Sequence, residues 1–293
     1  MTSAAPQLAA DGEAWSPSAV QRERDAYRTA RARRSTGIAV LSTLVVGTLL
    51  VLGITGSPGW PRVQQSFFDP QVAWEALPEV LYGLRLNAVV WLAASVGMLV
   101  LGLILATLRT LRGPVFWPLR ALATVYVDLF RALPVIIVLY LVGFGLPGLR
   151  LRGVPSDPVV LGAIALTMTY SAYVAEVLRA GIESVHPSQR AAARSLGLSS
   201  AQTMRHVVLP QGVRRVVPPL LNDLVSLQKD AGLLSILGAL DALRQAQIVE
   251  AENFNYTPYV VAGLLFILFT IPLTRLTDYV MRRSGYLPTG LKV

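Results

Sequence analysis

The chain alternates long apolar runs with short basic stretches, and a run of about 20 apolar residues is what a helix needs to cross roughly 30 Å of hydrocarbon. Five runs meet that length: residues 35–61 (apolar core 38–54), 86–108, 132–149 with a lead-in from Ala121, 158–175 and 253–274. A sixth, residues 216–240, is apolar but carries Asp223, Lys229 and Asp230. Charges inside a span face a bundle interior or a cavity, so it counts as a span. The pattern predicts an all-α integral membrane protein of six transmembrane helices, with both termini on one side.

Basic residues then orient the spans. Of the 26 Lys and Arg, six lie before the first span, three (Arg109, Arg112, Arg120) follow the second, six lie between the fourth and the 216–240 run, and four close the chain. The other face holds Arg62, Arg85, Arg150, Arg152 and Arg244. By the positive-inside rule the richer side is the cytoplasm, and the termini are cytoplasmic. The net charge of +9 is thus largely a topology signal rather than a sign of nucleic-acid binding. A basic tail before an apolar run also fits a secretory signal, but the tail is long and no A-x-A site follows Ile54. Residues 1–18, rich in Ala, Ser and Pro, are expected to be disordered, and the basic segment 19–34 to be a solvated tail that sets topology, with a basic helix lying on anionic headgroups as the alternative.

Composition narrows the chemistry. Hydrophobic residues make up 53% and charged ones 15%, too few charges to coat soluble domains. With no cysteine and two histidines twenty residues apart, disulfides, thiolate nucleophiles, Cys-ligated metals and bound cofactors are not expected. No G-x-x-x-x-G-K-[ST] run occurs, so any nucleotide must bind another chain.

Residues 176–215 form the longest polar stretch after the N-terminal tail, too long for a plain connection. Ser188 is expected to cap a helix through Gln189, Ala192, Ala193 and Leu196, which Gly197 ends. Ser199 with Gln202 forms a capping box for a second helix, which Pro210 stops. Alone, "RAAARSLGLSSAQTMRHVV" has the pattern of a DNA-binding helix-turn-helix. Held at both ends by membrane spans, it is better placed to dock into the cleft of a peripheral protein.

At these residues the sequence resembles a known family. "AYVAEVLRAGIESVHPSQRAAARSLGLSSAQTMRHVVLPQGVRRVVPPLLNDLVSLQKDAGL", with "YVDLFRALP" (126–134) and "LRQAQ" (243–247), is similar to the membrane subunits of ATP-binding-cassette importers for polar amino acids. The likeness runs over about 77–276, and the family's shorter pattern has five spans. It implies a cytoplasmic basic tail (1–36), an extra N-terminal span (37–54), a permease core (77–281) containing the coupling loop, and a C-terminal tail (282–293). It further implies coupling through Glu183, Gln189, Ala191, Ala192, Ala193, Gly197, Leu209 and Pro210 to an ATPase dimer that binds ATP and Mg. A second permease subunit, identical or homologous, and an extracytoplasmic amino-acid-binding protein complete the implied assembly, in the plasma membrane of a prokaryote. The family usually has Glu at position 191 and Gly at 188; Ala191 and Ser188 depart from that and remove one salt bridge to the ATPase. Lys229 and Asp230 match, while Ala231 and Gly232 replace Thr and Ser.

Polar groups inside the spans are the candidate pathway. Asp128 and Arg131 lie at i, i+3, and a rise of about 1.5 Å per residue from Arg120 puts Arg131 roughly 16 Å deep. Asn222, Ser226 and Asp230 fall at i, i+4 and i+8 beside Lys229, and Pro218 and Pro219 are expected to break the helix entry. These groups suit a zwitterionic solute; equally, Asp128 with Lys229 or Arg131 with Asp230 would make structural pairs. Glu176 with Arg179 is expected to be a surface pair, and Tyr170, Tyr173 and Trp117 interfacial anchors. The competing functions are an ion-coupled secondary transporter or channel, which leaves the docking loop unexplained, and an intramembrane enzyme, for which no nucleophile and base stand at suitable spacing.

Overall fold

The computed structural model describes residues 17–283 apart from Arg112, so the expected disorder of 1–16 and the tail 284–293 lie outside the described residues. Every regular element within them is helical. The chain falls into two units, up to Val63 and from Gln64.

The first unit is built on α1 (Ala19–Thr55), capped by the Ser18 side chain, which accepts from the Gln21 N–H. The expected basic segment and the expected first span are one continuous helix, about 56 Å long at 1.5 Å per residue; no break marks residue 36 or Gly37. After it comes α2 (Trp60–Phe67).

The second unit is organised around α3 (Pro70–Thr110) and α7 (Pro158–Glu183). Both begin with Asp–Pro: Asp69 and Asp157 accept from the N–H groups two and three residues on, and proline occupies the first turn, where its missing N–H costs nothing. The apolar runs starting at 86 and 158 are therefore the charge-free parts of longer helices. Close packing is set by small residues. Gly102 leaves no room for a Cβ against Val174, and a Cβ on Gly83 would lie 2.5 Å from the backbone of Asp241 and Ala242.

The expected span 132–149 is broken instead. α4 (Trp117–Ala132), preceded by a 3-10 turn at Pro114–Phe116, and α5 (Val135–Tyr140), which continues through a π turn (Leu141–Gly145) into α6 (Leu146–Gly148), meet at 112°. The cause is local. A proline ring disfavours helical backbone in the residue before it, and Leu133, ahead of Pro134, is extended at φ −86°, ψ 134°.

Beyond α7 come α8 (Pro187–Ser195), α9 (Ser200–Thr203), α10 (Leu209–Asp230), a 3-10 segment (Ala231–Leu237), α11 (Ala242–Asn253) and α12 (Thr257–Arg283). Pro218 and Pro219 lie inside α10, which runs on through them rather than breaking there. Among the described residues four helices are long and apolar enough to cross a membrane, five with the bent α4–α5 pair. α10 is not among them, because Arg214, Arg215, Asp223, Lys229 and Asp230 interrupt it; the expected 216–240 span is α10 joined to the 3-10 segment, which Gly238 ends at φ +84°.

A buried polar joint ties this segment to the bundle. Asn87, 1% exposed, donates through Nδ2 to the Ala231 carbonyl (2.7 Å) and to Asp241 (3.2 Å), and its Oδ1 accepts from the Ala242 N–H (3.0 Å). Asp241, fully buried, also accepts from the N–H groups of Ser235 (3.2 Å) and Arg244 (2.9 Å). Trp91 Nε1 adds a bond to the Leu224 carbonyl at 2.9 Å. A polar group survives in a core when its partners are all present, and here they fix α3 to both sides of the 3-10 segment.

Candidate functional site

The expected docking loop folds into a platform of two short helices. α8 starts at His186, whose Nδ1 accepts from the Ser188 N–H at 3.2 Å and hydrogen-bonds the Ser188 hydroxyl at 2.7 Å; the cap is His186, not Ser188, because Pro187 takes the first helical position. Gly197 at φ +81° ends it, with its N–H on the Arg194 carbonyl (2.9 Å) and the Leu198 N–H on that of Ala193 (3.2 Å), a Schellman closure. The capping box at Ser199 and Gln202 is present. Pro210 does not stop the second helix: Met204–Val208 widens into a π turn, Leu209 N–H reaches back to Met204, and α10 continues. The wider turn absorbs the donor that proline lacks.

Underneath, Val185, Ala193, Thr203 and Val208 are buried. Outside, Gln189, Ala191, Ala192 and Gly197 are exposed and Leu196 is 83% exposed. Of the expected triplet, then, Ala191 and Ala192 face outward and Ala193 packs inward. The mount is polar and tight: Arg190 donates to the Ile182 carbonyl, Arg215 to that of Ser184. Gly181 lies against α10, where a Cβ would stand 2.1 Å from Val216 and 3.3 Å from the Gly212 carbonyl. Glu183 is exposed and paired with Arg179, and Leu209 and Pro210 are exposed at the start of α10.

Next to this platform is an ionic hub that sequence reasoning missed. Glu176 accepts from Arg109 at 2.8 Å, lies 3.6 Å from Arg131, and takes Nε and Nη2 of Arg179 on its two oxygens. The expected surface pair is therefore the centre of a three-arginine cluster, with the Arg109 side chain 13% and that of Glu176 20% exposed. Arg131 and Arg109 reach the same oxygen, and Arg109 is the penultimate residue of α3, so the Arg131 guanidinium lies level with that helix end.

Neither proposed pair between α4 and α10 forms. Arg131 is engaged by Glu176, Asp128 and Lys229 are exposed, and Asp230 accepts from the Tyr170 hydroxyl at 2.7 Å. Tyr170, 4% exposed, is thus a buried partner of α10 rather than an interfacial anchor; Tyr173 stacks obliquely on it at 5.9 Å, whereas Trp117 is 63% exposed. Along α10, Asn222 is exposed, Ser226 part-exposed, and one oxygen of Asp223 is buried without a hydrogen-bond partner among the described residues. The missed groups left faint signals. Asn87 is the one carboxamide in the run 86–108, and Asp241 precedes Ala-Leu-Arg as a helix cap.

Several apolar helices around a satisfied polar joint, with a two-helix platform at one end, define a multi-pass membrane protein. The chain belongs to the family described as binding-protein-dependent transport system inner membrane component, whose pattern matches residues 98–286. It is 38% identical over 193 residues to the probable glutamine ABC transporter permease protein GlnM of Bacillus subtilis, covering 65% of this chain and 86% of that one. The glutamine transport system permease protein GlnP of Escherichia coli is 30% identical over 216 residues, 74% and 95% of the two chains. Among solved structures, one described as an amino acid ABC transporter with histidines superposes with a TM-score of 0.68 at 30% identity, over 73% of this chain and 98% of that one. An inward-facing MetNI methionine ABC transporter, at 18% identity and a TM-score of 0.58, shares the fold.

Proposed function

We propose that this chain is the permease subunit of an ATP-driven importer of a polar amino acid in a prokaryotic plasma membrane, with α8 as the seat of a separate ATPase subunit on the cytoplasmic side. The names of its relatives support the solute class. The observation that carries the coupling role is the mount of α8. A helix fixed to the end of α7 through Arg190, where that end is itself locked to α10 through Arg215 on the Ser184 carbonyl and the Gly181–Gly212 contact, moves with both when a partner pushes it. Packed helices shift as rigid bodies rather than deforming, so closure of the ATPase would be felt at Tyr170 and Asp230, where α7 meets α10.

The exposed side of α10, with Asn222, Ser226 and Lys229, supplies the wall of a pathway shared with a second permease subunit, and an external binding protein delivers the solute. Charges and amides there suit a carboxylate and an ammonium group removed from bulk water. Arg131, held by Glu176, belongs to the scaffold. With Ala191 in place of a carboxylate, docking of α8 rests on the fit of Ala192 and Leu196.

The Ala192→Trp variant tests this. Ala192 is exposed, so the indole leaves folding nearly untouched but fills the seat. The tagged wild-type chain should co-purify with a protein bearing ATP-hydrolysis motifs, and the variant should retain at least about tenfold less, a loss of about 1.4 kcal/mol. Equal retention at equal yield would remove α8 from the coupling role.

A further inference from the structure

Between α3, α4 and α7, on the same end of α7 as the docking platform, lies a cavity of about 550 Å³ lined by Arg109, Trp117, Arg120, Thr124, Val125 and Arg179. Its charges do not balance. Arg109, Arg131 and Arg179 share Glu176, Arg179 also pairs with Glu183, and Arg120 has no carboxylate partner among the described residues, spending one Nη1 hydrogen on the Leu111 carbonyl at 2.8 Å. Of the three guanidinium groups that line the cavity, Arg109 and Arg179 are paired and Arg120 is not, so Arg120 brings an unmatched charge and unused donors. One rim is aromatic: Trp117 is 63% exposed, and tryptophan concentrates at the level of lipid headgroups. From that rim α4 presents Leu122, Val125 and Leu129, 50–68% exposed and at i, i+3 and i+7, as one apolar stripe.

We propose that this cavity holds the phosphodiester of an anionic phospholipid, with Arg120 and Arg109 on the phosphate, the Trp117 indole at the glycerol level and an acyl chain along Leu122, Val125 and Leu129. Basic pockets between membrane helices bind anionic headgroups through this combination, and the stripe explains why a lipid, and not a free anion, is the occupant. Lodged between α3, α4 and α7, the lipid braces the hub on which the platform stands. Placing it in the inner leaflet rests on the proposed orientation; the site itself does not.

The test counts lipid on the purified, detergent-solubilised chain by native mass spectrometry, after exposure to equal phosphatidylglycerol and phosphatidylethanolamine of matched chain length. Phosphatidylglycerol should be retained in preference. Arg120→Gln should lower its retention about fivefold, the contribution of one basic residue near an anionic surface, and leave phosphatidylethanolamine unchanged. Thr124→Phe, which fills the cavity without touching charge, should lower it as well, while Arg205→Gln, exposed on the π turn, should not. Equal retention of the two lipids by the wild type, unchanged retention in both cavity variants, or displacement of the lipid by millimolar inorganic phosphate would overturn the proposal. Loss of ATPase co-purification would leave these counts unaffected, so the two readings fail separately.

Discussion

Glu176→Gln is expected to lower the stability of the purified protein by about 3 kcal/mol, the low end of the cost of removing one partner from a buried ion pair. The substitution keeps shape and volume and removes the one negative charge that, among the described residues, Arg109, Arg131 and Arg179 share. Three guanidinium groups are then left facing one another at the junction of α3, α4 and α7. The low end applies because the Glu176 side chain is 20% and that of Arg131 41% exposed, so water takes part of the load. Glu183→Gln is the internal control: its side chain is 60% exposed, and loss of such a pair costs about 0–1 kcal/mol. Thermal unfolding of both variants in the same detergent checks the difference. Equal melting temperatures would mean that the hub holds nothing together.

Asn87→Leu is expected to be more damaging still. The leucine matches asparagine in size but offers nothing to the Ala242 N–H, the Ala231 carbonyl or the Asp241 carboxylate, all of which Asn87 satisfies in a closed core. Each buried group left unpaired costs about 1–3 kcal/mol; Asp241 keeps its Ser235 and Arg244 donors, but the Ala242 N–H and the side-chain bond to the Ala231 carbonyl are lost together, a large share of the roughly 5–15 kcal/mol that keeps a domain folded. The variant should fail to accumulate, or should elute as aggregate on size exclusion. Asn87→Asp separates amide chemistry from space: it puts a second carboxylate beside Asp241, so the loss should be relieved as the pH falls and one of the two carboxylates takes up a proton. A well-behaved, monodisperse Asn87→Leu protein would show that the joint is not structural.

What could be read from the residues, and what could not, follows a physical line. Apolar runs mark α1, α3, α7 and α12 because one residue class fills each for most of its length, and the capping box at Ser199 is a local pattern that the backbone obeys. His186 as the cap of α8 could have been found from Pro187, which prefers the first turn, but Ser188 was expected there. Prolines misled twice. At Pro210 and within α10 the helix persists because π geometry and neighbouring groups take over what the missing N–H leaves unpaired; Gln211 donates its side chain to the Val207 carbonyl at 3.0 Å. Pro134 by contrast ends α4, since nothing compensates an extended Leu133. Partners across the bundle were beyond reach. Glu176 meets Arg109 from 67 residues away and Tyr170 meets Asp230 from 60, and no spacing rule carries over such distances. The pairings expected between α4 and α10 were misassigned for that reason.

The energy source decides between an ATP-driven permease and a secondary transporter. The purified chain, with its co-purifying ATPase, is reconstituted into proteoliposomes with the α8 face inward, and uptake of labelled polar amino acids presented on a binding protein is followed with ATP or a non-hydrolysable analogue enclosed. Uptake that requires hydrolysable ATP on the α8 side, and that Ala192→Trp abolishes, is the predicted result. Uptake that proceeds without ATP and follows an imposed proton or sodium gradient would contradict it and make the chain a secondary transporter.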